Sequence, residues 1–227
     1  HTLLMASTAA LNEKNTPQFA SISLVSASSY VVTVNATLGV STIRELVAMA
    51  KANPGKLSFG SSGAGSASHL TAELFKAQAG VDLLHVPYKG TGQALSDLVS
   101  GQISLMFAPA QTVMQHVQAG RLKALAVTSS KRSAIMPLIP TVAESSVPNY
   151  AAVGWFGLLA PAATPKAVIS KISADASKVL TQKETRDKLI ALGSEPESSS
   201  PEAFAIFIKE DQAKWAKLMR EQGIKGE

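Results

Sequence analysis

Short apolar runs alternate with amphipathic segments along most of this 227-residue chain. Around Ile43 and Leu46, apolar residues recur at helical spacing, and Thr42 and Glu45 are spaced as in a capping box. The Asn-Pro-Gly sequence at 53–55 ends this helix. The alternation predicts an α/β protein with a mostly parallel sheet covered by helices.

The rest of the chain continues the pattern. Strands are predicted at Lys56–Gly60, Leu83–Val86, Ile103–Phe107, Lys123–Thr128 and within the apolar segment Ala151–Ala160. Three helices close the chain, the first capped by Thr164 with Pro165 in its first turn, the last opening at Ser200-Pro201. The first 35 residues hold two apolar runs without a convincing helix between them. We therefore expect the chain to begin inside a domain.

Composition narrows the possible functions. With 46% hydrophobic residues the chain can bury a core, and it contains no cysteine, which excludes disulfides and thiolate metal sites. The net charge of +5 is spread over helix faces, and aromatic residues make up only 5% of the chain, so we expect no nucleic-acid partner. The longest apolar run, Val153–Ala163, falls well short of the ~20 residues that span a bilayer. The chain is not expected to cross a membrane.

The segment Ser61–Ser66 is rich in glycine and serine and lies between a predicted strand and a predicted helix. Glycines let the backbone approach a ligand, successive N–H groups can form an anion-binding nest, and the helix dipole adds partial positive charge. Hydroxyls of Ser61, Ser62, Ser66 and Ser68 supply further donors. The segment suits a carboxylate or phosphate. It is equally compatible with a plain tight turn in which Ser66 caps the helix.

Two other kinds of chemistry are considered for this segment. A dinucleotide fingerprint would need a third glycine where Ser68 stands, and Asp82 precedes its strand instead of ending it, so nucleotide binding is discounted. Ser66 and His69 could act as nucleophile and base of a hydrolase, although a histidine in a first helical turn is more often a surface or capping group. The four histidines show no metal-ligand spacing. The residues favour a binding protein over an enzyme, with no cofactor.

Three further side chains could contact a ligand, but each could also be an ordinary surface or core residue. Lys89 lies in a loop at the carboxyl end of a strand, where open α/β sheets bind ligands, but it could simply be solvated. Trp155 and Phe156 lie in a nearly uncharged run and could line a cleft or belong to the core.

Six stretches, in their order and spacing, resemble the Bug-type receptors, the extracytoplasmic solute-binding proteins of tripartite tricarboxylate transporters. The stretches are Ala20–Val25, Lys56–His69, His85–Thr91, Gly120–Arg132, Ile139–Glu144 and Trp155–Pro161. The resemblance implies a periplasmic protein that captures a small carboxylate and delivers it to integral-membrane transporter subunits. A ligand-sensing module that docks on a signalling partner is the alternative within this resemblance.

The resemblance also implies a type II periplasmic-binding-protein-like fold, with two α/β domains joined by a hinge. The first domain would combine residues 1–35 with 151–227, and the second would comprise residues 36–150. The chain would cross between them near Val34–Thr37 and Tyr150–Val153. Members of the family begin with a strand, a glycine-rich loop and a helix that this sequence lacks, so the first domain is expected to be incomplete at its N-terminus.

By the same resemblance, the loop Ser61–Ser66 would hold the ligand carboxylate. The residues implied at the site are Ser7, Thr8, Ser61, Ser62, Gly63, Ala64, Gly65, Ser66, Lys89, Gly90, Trp155 and Phe156. Many members carry an acid and an amide where this chain has Ala108-Pro109. Because that acid would pair with an ammonium group, its absence predicts a ligand without an amine.

Overall fold

The structure, a computed structural model, describes residues 3–7, 11 and 15–224. These residues divide into two compact units. The first unit holds the described residues up to Ser28 together with Gly154–Lys217, and the second holds Ser29–Val153 together with the described residues from Leu218 onward. The division falls between Ser28 and Ser29, inside one long strand, and between Val153 and Gly154.

The secondary-structure elements are numbered in chain order. They are β1 (Leu4–Ser7), β2 (Phe19–Asn35), α1 (Ile43–Ala52), β3 (Ser58–Ser61), α2 (Ala67–Ala79), β4 (Leu84–Pro87), α3 (Thr91–Ser100), β5 (Leu105–Pro109), α4 (Ala110–Gln118), β6 (Leu122–Val127), α5 (Val142–Ser145), β7 (Val153–Pro161), α6 (Lys166–Thr181), α7 (Lys183–Ala191), β8 (Glu195–Pro196) and α8 (Pro201–Glu221). None of the helices in the described ranges is both long enough and apolar enough to cross a membrane.

The sheet of the second unit is mixed. β3 pairs in parallel with β4 and with β5, while the later part of β2 pairs antiparallel with β5 and β6. Its core includes the fully buried residues Val31, Leu98, Phe107 and Val113. Since β3, β4 and β5 run in the same direction, their carboxyl ends lie at one edge of this sheet. Each of the three strands is followed by a helix, α2, α3 and α4 respectively.

Local sequence signals explain most helix ends. Thr42 caps α1 by accepting the Glu45 amide, and Gly80 ends α2 in the left-handed conformation. One predicted cap is wrong: the residue at the cap of α6 is Pro165, and the helix begins at Lys166. Pro165 has extended backbone angles (φ −58°, ψ 139°), and the Thr164 amide donates to the Pro161 carbonyl in a turn, so Thr164 lies before the helix.

The predicted strands are present, but the three parallel ones lie one or two residues further along the chain than predicted. β3, β4 and β5 end at Ser61, Pro87 and Pro109. Hydropathy marks the buried residues of a strand, whereas the ends depend on which backbone groups find partners in the neighbouring strand. Ser61, for example, lies opposite Pro87 in the parallel ladder.

The first unit has a smaller sheet and three helices. β1 pairs antiparallel with β7, and the early part of β2 pairs with β8. Trp155 of β7 is buried against Phe204 of α8, with ring centroids 5.5 Å apart. The helices at the end of the chain thus belong to the same unit as strands from the start of the sequence and from its later part.

Candidate functional site

The loop Ser61–Ser66 begins at the carboxyl end of β3 and runs into the N-terminus of α2. At the same edge of the sheet, α3 begins at Thr91 after a short loop that follows β4, and α4 begins at Ala110 directly after β5. A helix N-terminus carries partial positive charge and N–H groups without helical partners. Three helix N-termini along one edge, with no acidic residue in their first turns, make this edge attractive to an anion.

The loop is held in shape by hydrogen bonds to Gly63. Its carbonyl accepts from the hydroxyls of Ser61 (2.9 Å) and Ser66 (2.7 Å), and its amide donates to Ser61 Oγ at 3.2 Å. Gly63 (φ 140°) and Gly65 (φ 75°) both have backbone angles that side chains disfavour. The glycines predicted to let the backbone approach a ligand are therefore also required by the turn itself.

Several loop amides are already engaged within the protein. The Ser62 amide donates to Ser68 Oγ at 3.1 Å, and the Gly65 amide donates to His69 Nδ1 at 3.0 Å. In the described chain, the amides of Ala64, Ala67 and Ser68 make no hydrogen bond to a protein acceptor. Ala64 and Ala67 are exposed. These amides are the backbone donors that remain available for an anion.

The hydroxyls of the loop fall into two groups. Ser61 is fully buried and its Oγ lies 2.6 Å from His85 Nε2, so this hydroxyl supports the loop from within. Ser62 is only partly buried, and its Oγ lies 3.2 Å from Ser68 Oγ, which leaves it able to donate outward. Ser68 contacts both Ser62 and Ser66, a linking role that the sequence does not show.

Ser66 and His69 are not arranged as nucleophile and base. Ser66 Oγ donates to the Gly63 carbonyl and accepts the His69 amide, as a helix cap does. The ring of His69 accepts the Gly65 amide at Nδ1 and faces Glu73 with Nε2. Both partners of the hydrolase alternative therefore have structural roles. His69 is also buried, which corrects the expectation of a surface residue.

A pair of stacked histidines lies beneath the loop. The rings of His69 and His85 are 3.9 Å apart at 11°, and Phe59 stacks on His85 at 4.8 Å. Burial, together with the nearby His69, lowers the pKa of His85 from 6.5 to about 4, so the ring is neutral at pH 7. Burial raises the pKa of Glu73, but hydrogen bonds from His69 and Lys76 outweigh it and lower the pKa overall.

Sequence reasoning missed this cluster because His85 and Phe59 come from strands on either side of α2 in the chain. Only the spacing of His69, Glu73 and Lys76 along one helix face could have indicated it.

His85 should make the protein sensitive to acid. Its folded-state pKa of about 4 lies below the ordinary 6.5, so between these pH values the unfolded chain binds a proton that the folded chain does not. We expect the free energy of unfolding to fall as the pH is lowered through this window. The His85→Gln variant keeps a nitrogen near Ser61 but does not titrate. Urea unfolding of both proteins should show a wild-type loss of stability that the variant lacks, whereas parallel profiles would contradict the assignment.

Lys89 and Gly90 lie in the loop next to Ser61–Ser66. The Tyr88 amide donates to the Ser61 carbonyl at 3.1 Å, which joins the two loops. Lys89 is exposed, and Gly90 (φ 145°) is the cap residue of α3. The Tyr88 hydroxyl donates to Asp97 at 2.7 Å, and burial with this carboxylate raises the pKa of Tyr88 to about 12. The structure thus brings Lys89 and Gly90 to the same edge as the glycine loop.

The remaining predicted residues belong to the first unit. Ser7 of β1 and Phe156 of β7 are partners in the antiparallel ladder, and Phe156 is exposed. Thr8 lies outside the described residues. The indole N–H of Trp155 donates to Asp211 at 2.9 Å, and its side chain is buried, so it belongs to the core, the alternative considered for it.

The edge near β5 carries no carboxylate from that strand. Ala108 is fully buried and Pro109 immediately precedes α4. Asp82, which a nucleotide site would have used, is exposed just before β4, at the amino end of that strand.

A profile of the family described as tripartite tricarboxylate transporter family receptor matches residues 8–224 of the sequence. The chain belongs to this family. The resemblance drawn from the six sequence stretches is thereby confirmed. Since the match includes both the glycine loop and the closing helices, it covers the whole of the site in the second unit.

Known proteins similar to this receptor agree with the assignment. A Pseudomonas sp. (strain P51) protein of the UPF0065 group is 38% identical over 180 residues, 79% of this chain and 54% of that protein. The chain therefore spans about half the length of this curated relative. Two solved structures are each 30% identical. The structure of the periplasmic binding protein BugD (TM-score 0.73) matches over 99% of this chain and 79% of its own.

The second solved structure is an R. palustris protein with adipate, with a TM-score of 0.75 over 92% of this chain and 70% of its own. Together with BugD it confirms the periplasmic-binding-protein-like fold.

Proposed function

We propose that this receptor is a periplasmic solute-binding protein that captures a small carboxylate and passes it to the integral-membrane subunits of a tripartite tricarboxylate-type transporter. The observation that carries the proposal is the set of backbone amides at Ala64, Ala67 and Ser68, which face no protein acceptor in the described chain at the N-terminus of α2. These amides, with the Ser62 hydroxyl, can donate to the oxygens of one carboxylate.

The charge around the loop favours an anion of low charge. The helix dipole and neutral donors stabilise negative charge by modest amounts, and Lys89, the cation in the neighbouring loop, is exposed. A site for a highly charged phosphate ester would be expected to add arginine forks, and no arginine occurs between Ser61 and Gly90. A mono- or dicarboxylate fits these donors best.

The absence of an acid from β5 supports a ligand without an amine. An ammonium group needs a carboxylate partner when it is desolvated. Ala108 and Pro109 offer none, and Asp97 already accepts the Tyr88 hydroxyl. The similar R. palustris structure, with adipate, is consistent with a ligand of two carboxylates and no amine.

A thermal-shift screen on the protein tests the proposal. Mono-, di- and tricarboxylates are compared with their amides and with amino acids of the same chain length. A ligand at 100 times its dissociation constant stabilises by about 2.7 kcal/mol, which raises Tm by roughly 5–10 °C in a protein of this size. We expect at least one carboxylate to give such a shift, and its amide and its amino analogue to give none.

Each negative outcome is informative. A well-folded protein that no carboxylate stabilises would contradict carboxylate capture. A larger shift with an amino acid than with its deaminated analogue would contradict the ligand class alone. The transport role is tested separately by pull-down from solubilised membranes, where ligand-dependent recovery of transporter subunits supports it and recovery of a sensor kinase contradicts it.

A further inference from the structure

A chain of polar contacts runs from the glycine loop into the protein along one face of α2. The Gly65 amide donates to His69 Nδ1 at 3.0 Å, His69 Nε2 faces Glu73 Oε1 at 3.6 Å, and Lys76 donates to the same Glu73 oxygen at 2.9 Å. The side chains of His69 and Glu73 are 8% and 7% exposed. The contacts are therefore shielded from water, where a hydrogen bond directs geometry most strongly.

These contacts determine where the proton of His69 lies. Because Nδ1 accepts a hydrogen bond from Gly65, it cannot carry a proton. The ring is then neutral, with its proton on Nε2, directed toward the Glu73 carboxylate. Glu73 in turn is held by Lys76. The carboxylate selects the tautomer, and the tautomer provides the acceptor that holds the loop.

Rings from two strands hold the His69 side chain in place. His85 of β4 stacks on the His69 ring at 3.9 Å, and Phe59 of β3 packs beyond it. The Ser61 hydroxyl bonds His85 at Nε2, so His85 links the same cluster to the start of the loop.

We propose that His69 is a positioning residue for the ligand site, which holds the loop in its binding shape by accepting the Gly65 amide at Nδ1. This inference rests on the proposed carboxylate function. Without an acceptor at this position, the Gly65 N–H loses its partner and the Gly65 peptide can turn away. The loop between Gly63 and Ser66 then moves with the Gly65 peptide, which weakens ligand binding.

Two substitutions test the acceptor at residue 69. In His69→Asn, the side-chain oxygen can take the place of Nδ1 and accept from Gly65. In His69→Leu, the acceptor is lost. With adipate as probe, we expect His69→Leu to bind about tenfold more weakly at pH 8, the loss of roughly one buried hydrogen bond. His69→Asn should stay within about threefold of the wild type.

Rescue by His69→Asn distinguishes a positioning role from a purely structural one, because both substitutions remove the imidazole ring but only His69→Leu removes the acceptor. His116→Leu is the matched control: it removes a histidine from α4 that has no partner for Nδ1 in the described chain. Its affinity for adipate should match that of the wild type.

A second readout needs no ligand. In the ligand-free protein, the Gly65 amide hydrogen should exchange with solvent faster in His69→Leu than in the wild type, and at close to the wild-type rate in His69→Asn. An unchanged Gly65 exchange rate, or an unchanged adipate affinity, in a folded His69→Leu protein would overturn the inference. If adipate and every other carboxylate fail to bind while Gly65 exchange still depends on the acceptor at residue 69, the proposed function fails and the coupling of His69 to the loop stands.

Discussion

Replacing Ala64 by aspartate is expected to weaken carboxylate binding at least about a hundredfold. Ala64 is exposed at the middle of the loop, and its amide is one of those left without a protein acceptor in the described chain. Two unit charges about 4 Å apart repel by about 4 kcal/mol near a protein surface. The new carboxylate would also compete for the amides of Ala67 and Ser68. Isothermal titration with adipate, or with the best ligand of the screen, measures the loss.

The matched control for this variant is Ala77→Asp. Ala77 is exposed near the other end of α2, so the net charge changes equally but far from the loop. We expect its ligand affinity to stay within about twofold of the wild type, because exposed charges beyond about 10 Å are screened. Equal losses in both variants would show that net charge, and not the loop, governs affinity. An Ala64→Asp protein that binds as well as the wild type would contradict the site.

Replacing Asp211 by leucine is expected to lower the free energy of unfolding by about 3–5 kcal/mol. Asp211 lies on α8 and is 5% exposed. Its two oxygens accept the indole N–H groups of Trp155 (2.9 Å) and Trp215 (3.0 Å), and Lys214 lies 3.0 Å from Oδ1. Leucine would leave two buried indole donors without an acceptor, and each such loss costs about 1.5–3 kcal/mol.

Urea unfolding followed by tryptophan fluorescence measures this effect directly. The chain contains two tryptophans, and both donate to Asp211, so the fluorescence reports on this cluster alone. Glu210→Leu is the control, since it makes a similar change at an exposed neighbouring position. We expect it to change stability by less than about 0.5 kcal/mol. A stable Asp211→Leu protein with unchanged fluorescence would show that the two indole bonds contribute little.

Much of the fold could be predicted from local sequence. The Thr42 cap placed the first helix, and the alternation of apolar runs placed the strands to within a few residues, because each signal depends on residues close together in the chain. The start of α6 was predicted less well, because a proline such as Pro165 can either begin a helix or precede it in extended form. Strand ends also escaped prediction, since they depend on the neighbouring strand.

The candidate site shows the same division. The glycine loop could be located from sequence because its composition, its position between strand and helix and its family resemblance all point to the same six residues. The backbone amides of the loop that remain available for a ligand could not be identified from the sequence. Only the folded structure shows that the Ser61 hydroxyl is buried against His85 and that the Gly65 amide is used by His69, leaving Ala64, Ala67 and Ser68.

The sequence by itself determined the class of fold, the family and the loop, because these rest on hydropathy period, turn chemistry and motif order along the chain. The tertiary structure alone decided which groups lie together. His69 and His85 stack although 16 positions separate them, and Trp155 and Asp211 bond although they are 56 positions apart. Such contacts depend on strand pairing and helix packing, and buried polar groups must find partners wherever packing brings them.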